Sequence, residues 1–435
     1  MMRQYRIRGL TRVDGQIAIG GAKNDVLPIL AAVCLNKGES IIHNCPRIAD
    51  TFLSIDILKH IGCRVELLGN TLYVDASNIS VIDIPDKWVK KMRSSILFMG
   101  AMLGRAGQVN ISHPGGCPLG KRAIDYHIHG LEAMGAEIIN DDGILRCKGV
   151  LKGADIRLAT PSVGATENLM LAGAVAIGIT TIANAAREPE VVDLARFLNS
   201  MGANIHGAGT DTIVIEGKQK LASTTHRVIP DRIVAGTYMV AAAMTGGRVN
   251  LTDVNPQDLV PITDELVKMG CEISYGASDI TVQGPKRLKA LPYLETLEHP
   301  GFPTDMQAQF VAALSVAEGR SLVMENLYES RDAHAKSLNL MGADIGILSI
   351  PETDLTKKRT LFEIHGKPAL TGTVVEAKDL RCGAALVLAG VAAQGETIVR
   401  NAHNVERGYE CIEKDLSDIG ADIRLEVVED GEPLA

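Results

Sequence analysis

The feature that most limits how this chain can fold is an internal repeat. One pattern recurs six times at intervals of roughly 70 residues, long for a solenoid period but self-similar in the same sense. Each copy opens on an apolar, helix-like run followed by a glycine: 26–35 before Gly38, 96–103 before Gly107, 169–177 before Gly178, 235–244 before Gly246, 308–317 before Gly319 and 384–393 before Gly395. Glycine just past such a run reads as a helix stop, because it takes the left-handed conformation without a Cβ clash. A short β-patterned run comes next, as at residues 40–44 and 248–251. A second helix then ends on a glycine-centred tripeptide: Ile61-Gly62-Cys63, Met134-Gly135-Ala136, Met201-Gly202-Ala203, Met269-Gly270-Cys271, Met341-Gly342-Ala343 and Ile419-Gly420-Ala421. A closing strand or hairpin completes the unit.

Six mixed α/β units of this size bury their helices only against their own sheets, and three plus three gives two similar domains. The first unit begins near residue 21, yet strand-like segments at 5–10 and 16–20 precede it. With the sixth unit ending the chain, those leading strands are expected to complete the C-terminal domain. The expectation is a discontinuous domain of residues 1–22 and 231–435 around an inserted domain of residues 23–230.

Composition bounds the function. A net charge of −8 and a pI near 5.8 argue against nucleic acid or an anionic membrane as the partner. No apolar run is long enough to span a bilayer, and the N-terminus lacks a signal-peptide core. The eight cysteines are scattered without a C-x-x-C pair, and most sit in apolar runs. A reduced, cytoplasmic protein without a metal, cofactor or disulfide framework is expected, working as a monomer on small molecules.

The chemistry-bearing residues gather at repeated positions. Residues 112–122 place Cys117 in a loop rich in glycine and proline beside Lys121 and Arg122, with Asp125 and His127 following. A loop thiol near cations is a candidate acid or nucleophile, or an incidental surface cysteine. Ahead of the first helices stand Lys23-Asn24, Arg93-Ser94, residues 162–166, Asp231-Arg232, Asp305 and Arg381. Cations there oppose the helix dipole, so either an external anion gathers them or each pairs with a nearby surface carboxylate. Second-helix starts add Arg122, Arg187, Arg331 and Arg407, whose guanidinium forks suit phosphate and carboxylate. Asp305 reads equally as a helix N-cap or as a general base for a hydroxyl. No Walker loop, dinucleotide fingerprint or zinc-protease motif is present.

Taken together, Gly21-Ala22-Lys23-Asn24, the Gly-Gly-Cys-x-x-Gly-x-Arg loop, residues 161–166, Arg187-Glu188-Pro189-Glu190, residues 302–307, Asp379-Leu380-Arg381 and residues 406–410 resemble the enolpyruvyl transferases, in particular those acting on UDP-N-acetylglucosamine. The resemblance runs over essentially the whole chain. It implies two inside-out α/β barrels of three units each, and transfer of the enolpyruvyl group of phosphoenolpyruvate to the sugar 3-hydroxyl, opening bacterial peptidoglycan synthesis. By resemblance Cys117 donates a proton from a closing loop and is the target of fosfomycin, while Asp305 takes the hydroxyl proton; Lys23 and Arg407 complete the catalytic set. Phosphoenolpyruvate would be held by Lys23, Asn24, Arg93, Arg122, Arg331, Arg381 and Arg407. The UDP-sugar would be lined by Arg93, Arg122, Ala123, Ile124, Asp125, Tyr126, Ser162, Val163, Gly164, Asp305 and Leu327. Three residues depart from the usual pattern: Ala123 for proline, Thr160 for lysine and Asp332 for an aromatic. Two alternatives stay open, a 3-phosphoshikimate 1-carboxyvinyltransferase and a silent nucleotide-sugar-binding paralogue.

Overall fold

The computed structural model describes residues 2–115, 124–351 and 358–428. These fall into two compact units, one formed by residues 20–115 and 124–229, the other by residues 2–19, 230–351 and 358–428. Among the described residues the strands make six four-stranded mixed sheets, one for each repeat.

All six sheets share one plan. In the first copy Glu39–His43 pairs in parallel with Thr224–Arg227 on one side, and antiparallel with Thr71–Asp75 on the other; Arg64–Leu68 flanks the latter. The same central strand recurs as Gln108–Ser112, Ile179–Ala183, Arg248–Thr252, Arg320–Glu325 and Glu396–Arg400. Within the 20–229 unit, Thr224–Arg227 returns from the end of the third copy to the sheet of the first, so the three sheets close head to tail. In the other unit the leading segment does this work. Met2–Arg8 lies between Glu396–Arg400 and Asp422–Val428 in the sixth sheet, and Asp14–Ala18 pairs with Arg248–Thr252 in the fourth.

The first helices are the core. Lys23–Ala32, Leu97–Ala106 and Val163–Gly173 pack together in one unit, and Arg232–Thr245, Gln307–Leu314 and Leu380–Ala392 in the other. A helix apolar on every side must be covered on every side, and these are: residues 380–391 are all buried. Each unit thus carries sheets outside and helices inside. One core centres on Ile29, Leu30, Phe98, Leu171 and Phe197, the other on Tyr5, Tyr238, Phe310, Leu386 and Tyr409.

The tripeptide glycines behave alike: Gly62, Gly135, Gly202, Gly270, Gly342 and Gly420 all have φ between 87° and 112°, where a side chain is strained. The stops of the first helices need correcting. Gly107 and Gly246 do cap their helices, but Gly178, Gly319 and Gly395 stand several residues beyond the ends at Gly173, Leu314 and Ala392. The third helix also starts earlier than its apolar run, at Val163, under the side chain of Ser162. Ala174 and Ala176 are buried without being helical, so hydrophobicity runs past the true end.

Gly100 shows how closely the inner helices approach. Its N–H donates to Asn168 Oδ1 at 2.8 Å, and a Cβ there would sit 2.4 Å from the Asn168 carbonyl and amide oxygens. Alanine gains about 1 kcal/mol in helix propensity, but it cannot displace a backbone carbonyl of a buried helix. Gly100→Ala should therefore lower stability by about 1–3 kcal/mol, read as a lower urea midpoint with an unchanged slope.

Candidate active site

In the unit containing residues 230–351, the fifth and sixth copies bring one carboxylate and two guanidiniums together. Asp305 lies in the short 3-10 turn Thr304–Met306 that opens the fifth inner helix. Its Oδ1 accepts from Arg331 Nη2 at 2.9 Å and its Oδ2 from Arg381 Nη2 at 2.8 Å. The side chains of Arg331 and Arg381 are 5% and 4% exposed and that of Asp305 24%, so this is a largely desolvated triad. The N-cap reading of Asp305 fails, because the cap positions Pro303 and Met306 take no side-chain bond and the carboxylate is turned to the arginines. Asp231 and Asp379 are the true caps, each accepting two backbone N–H bonds at 2.9–3.0 Å.

Burial alone would raise the Asp305 pKa. Arg381 and then Arg331 outweigh it and hold the carboxyl well below the usual carboxylate range. Arg331 stacks on the Tyr328 ring at 4.7 Å, and Arg381 faces Tyr409 at 6.0 Å. Each guanidinium keeps one buried nitrogen without a hydrogen-bond partner among the described residues, Arg331 Nε and Arg381 Nη1. Arg407 is half-buried two residues before Tyr409, and Leu327 half-buried beside Tyr328.

The other unit positions the remaining candidates. Lys23 is the first residue of its helix, and its Nζ sits 2.8 Å from Asp50 Oδ2, the pair being 12% and 2% exposed. Lys23 and Arg381 are thus paired with protein carboxylates, and these pairs are buried rather than on the surface. Asn24 is half-buried beside Lys23, and Arg93 opens the 3-10 turn Arg93–Ile96 of the second copy. Ile124, Asp125 and Tyr126 stand at the start of Asp125–Ala133, and the Tyr126 hydroxyl is 3.2 Å from Thr160 Oγ1, the residue departing from the lysine pattern. Ser162 caps the third inner helix, with Val163 and Gly164 in its first turn. Cys117, Lys121, Arg122 and Ala123 lie outside the described residues.

His127 went without a role in the sequence. It is buried, and burial followed by the nearby Arg93 pushes it down to about 3, so it is neutral. Its tautomer follows from Asn168: Oδ1 of that residue accepts from Gly100 N, so Nδ2 donates to His127 Nδ1 at 2.9 Å and the ring proton sits on Nε2. A Cβ on Gly164 would lie 3.7 Å from that Nε2, which places a neutral N–H donor against residues 162–164. The sequence signal for Asn168 was its place in the polar Thr166-Glu167-Asn168 run just before the apolar stretch that begins at Leu169.

A second cluster lies beside Lys23. Asp25, Asp193 and His226 bring donor atoms within 4.8 Å of one another. Hydrogen bonds account for the grouping: His226 Nε2 bonds Asp193 Oδ2 at 2.7 Å, and Asp25 Oδ2 accepts from Ile229 N at 3.1 Å. Burial, then the Asp193 carboxylate, pushes the Asp25 carboxyl well above its usual range. Glu167, buried among Glu190 and Glu188, is raised for the same reasons.

The chain as a whole is similar to known proteins. The family model for EPSP synthase (3-phosphoshikimate 1-carboxyvinyltransferase) matches residues 7–416. The chain is 49% identical over 423 residues to UDP-N-acetylglucosamine 1-carboxyvinyltransferase 2 of Caldanaerobacter subterraneus subsp. tengcongensis, covering 97% of this chain and 99% of the relative. It is 45% identical over 427 residues to UDP-N-acetylglucosamine 1-carboxyvinyltransferase 1 of Symbiobacterium thermophilum, covering 97% and 94%. Among solved structures it is similar to the enolpyruvyl transferase NikO from Streptomyces tendae, with TM-score 0.85 and 27% identity over 98% of this chain and 100% of that one. An EPSP synthase from Acinetobacter baumannii shares the fold, with TM-score 0.71 and 19% identity over 98% and 100%.

The buried acid gives a pH test. A carboxyl whose folded pKa is raised stabilises fully below the ordinary aspartate range, and that contribution is lost as pH rises through the folded value. Asp25→Asn keeps an acceptor for Ile229 N–H and a donor toward Asp193 but cannot ionise. Melting temperatures from pH 5 to 9 should fall more steeply for the wild type than for the variant. Parallel curves would show that Asp25 titrates as an ordinary surface carboxyl.

Proposed function

The chain belongs to the EPSP synthase family of enolpyruvyl transferases, and from that premise we propose that it moves the enolpyruvyl group of phosphoenolpyruvate onto the 3-hydroxyl of UDP-N-acetylglucosamine with release of phosphate, the opening step of bacterial peptidoglycan synthesis. The observation that carries the reading is the Asp305–Arg331–Arg381 triad: an ionised carboxylate between two buried guanidiniums, each with one nitrogen that has no hydrogen-bond partner among the described residues. The high identity to two relatives named for the UDP-sugar reaction supports that acceptor over 3-phosphoshikimate.

Addition and elimination divide the work. The methylene carbon of phosphoenolpyruvate takes a proton from Cys117, and the sugar oxygen bonds to the adjacent carbon as its proton passes to Asp305. The tetrahedral adduct then returns a methyl proton to the Cys117 thiolate and expels phosphate with the C–O bonding pair, forming the enol ether. Lys23, Asn24, Arg93, Arg122, Arg331, Arg381 and Arg407 hold the phosphate and carboxylate; residues 122–126 and 162–164, with Arg93, Asp305 and Leu327, hold the UDP-sugar. A carboxylate gripped by two guanidiniums is a poor base. An anionic substrate that draws those guanidiniums onto itself raises the proton affinity of Asp305 when the hydroxyl is present. Neutral His127, with its proton on Nε2, offers a hydrogen bond near residues 162–164 without adding charge.

The test is phosphate release from phosphoenolpyruvate with UDP-N-acetylglucosamine, with 3-phosphoshikimate, and with neither. Release with the nucleotide sugar alone is expected; release with 3-phosphoshikimate alone reassigns the acceptor, and binding without release indicates a silent paralogue. Asp305→Asn should lower turnover by about 100-fold or more, while the UDP-sugar dissociation constant stays within roughly tenfold. An anionic epoxide phosphonate should label Cys117 alone among the eight cysteines, as peptide mapping would read. Labelling spread over several cysteines would remove Cys117 from the reaction.

A further inference from the structure

The fifth copy departs from the first and third at the end of its central strand. In the first and third copies the residue after that strand is Asn44 or Asn184, whose side-chain amide donates to the carbonyl ending the neighbouring parallel strand, at Val228 and Leu158. In the fifth copy the same clasp is made by Asn326 on the Thr296 carbonyl, at 3.0 Å. One further residue, Glu325, stands between the last paired position, Met324 opposite Glu295, and that asparagine.

The added residue is a carboxylate with no exposed surface. Its Oε1 accepts from the backbone N–H of Leu327 at 2.8 Å and of Tyr328 at 3.0 Å. Its Oε2 accepts from the Thr304 hydroxyl at 2.9 Å. That hydroxyl oxygen in turn accepts from Arg331 Nη1 at 2.8 Å, and the Thr304 carbonyl takes the same nitrogen at 2.5 Å. Arg331 then reaches Asp305, the residue following Thr304. Buried from solvent, Glu325 has no surface to offer a substrate, but it fixes three features around Arg331 and Leu327. It orients the Thr304 hydroxyl so that its lone pair faces Arg331. It turns the backbone at Leu327, and it seats the Tyr328 ring on which the guanidinium stacks.

We propose that Glu325 is a positioning residue for the transfer reaction, acting through Thr304 to hold Arg331 at the angle that sets the Asp305 carboxylate. This rests on the function proposed above. Burial raises the Glu325 carboxyl while the Arg331 charge opposes the rise, in keeping with a carboxylate whose partners are all internal. Glutamine at this position fills the same volume and keeps the two turn bonds through its carbonyl. It must present an N–H to Thr304, which leaves the threonine proton without its acceptor and spoils the lone pair given to Arg331. Thr304→Val breaks the same link from the other side.

The experiment is a double-mutant cycle on kcat and KM for phosphoenolpyruvate and UDP-N-acetylglucosamine, using Glu325→Gln, Thr304→Val and the pair, with melting temperatures recorded alongside. Each single variant should lose about 10- to 100-fold in kcat, as sub-ångström misplacement of a reacting group does. KM values should stay within roughly threefold, and the double variant should be no slower than the worse single one, since both break one chain. A Glu325→Gln enzyme within about twofold of wild-type kcat overturns the proposal. So do losses that multiply in the double variant, or raised KM values with a fallen melting temperature, the mark of a merely structural carboxylate. A wild-type protein that releases no phosphate from these substrates would overturn the function itself, and the positioning role with it.

Discussion

Each unit depends on burying three helices that have no polar face. Residues such as Ile29, Leu30, Met99 and Leu171 in one unit, and Val240, Val311 and Leu386 in the other, have no exposed surface. Burying each such side chain stabilises by about 1.5–3 kcal/mol, so the trio forms only if something covers it all round. The cover is three sheets with their inner faces apolar, and three sheets enclose a helix trio only when the ring closes. Thr224–Arg227 closes one ring, and Met2–Arg8 with Asp14–Ala18 closes the other. The chain's crossings near residues 19–20 and 229–230 follow from that closure.

A core built from helices leaves their N-termini as the places where polar side chains can stand. Lys23, Arg93, Ser162, Asp231, Thr304 and Arg381 all occupy such positions. Desolvation there makes each charge costly unless it is answered. Lys23 is answered by Asp50, and Arg331 and Arg381 share Asp305. Removing one partner of such a buried pair costs about 3–5 kcal/mol, so the triad is a structural element as well as a candidate site. Arg331 Nε and Arg381 Nη1 each lack a hydrogen-bond partner among the described residues. In the 20–229 unit burial and neighbouring carboxylates push the Asp25 and Glu167 carboxyls well above their usual range.

The repeat was legible because its marks are local. A glycine is demanded wherever a helix must end in the left-handed region, and six glycine-centred tripeptides announced six second helices, all with positive φ. Helix ends were less legible. In the third copy Ala174 and Ala176 remain apolar and buried after the helix has stopped, so an apolar run marks burial rather than helix. Asp305 illustrates the same limit for chemistry. Its type and place before a helix fit an N-cap as well as a base, and only its partners decide. The aspartates that do cap, Asp231 and Asp379, are of the same residue type as the one that does not.

By itself the sequence determined the unit, its number and the residue types at each helix start, because periodicity and glycine positions act over a few residues. The tertiary structure decided which charges meet. Asp305 and Arg381 are separated by 76 positions, and Thr304 and Glu325 by 21. Each pair is joined across copies or across a strand and its loop. No local pattern distinguishes an arginine that waits for an anion from one already shared with an aspartate. That distinction is a matter of a few ångströms in a desolvated interior, where a hydrogen bond made or missed changes both the charge state and the use of the group. The inserted Glu325 belongs to the same class: one extra residue in the chain, whose meaning appears only when the strand beside it supplies the register.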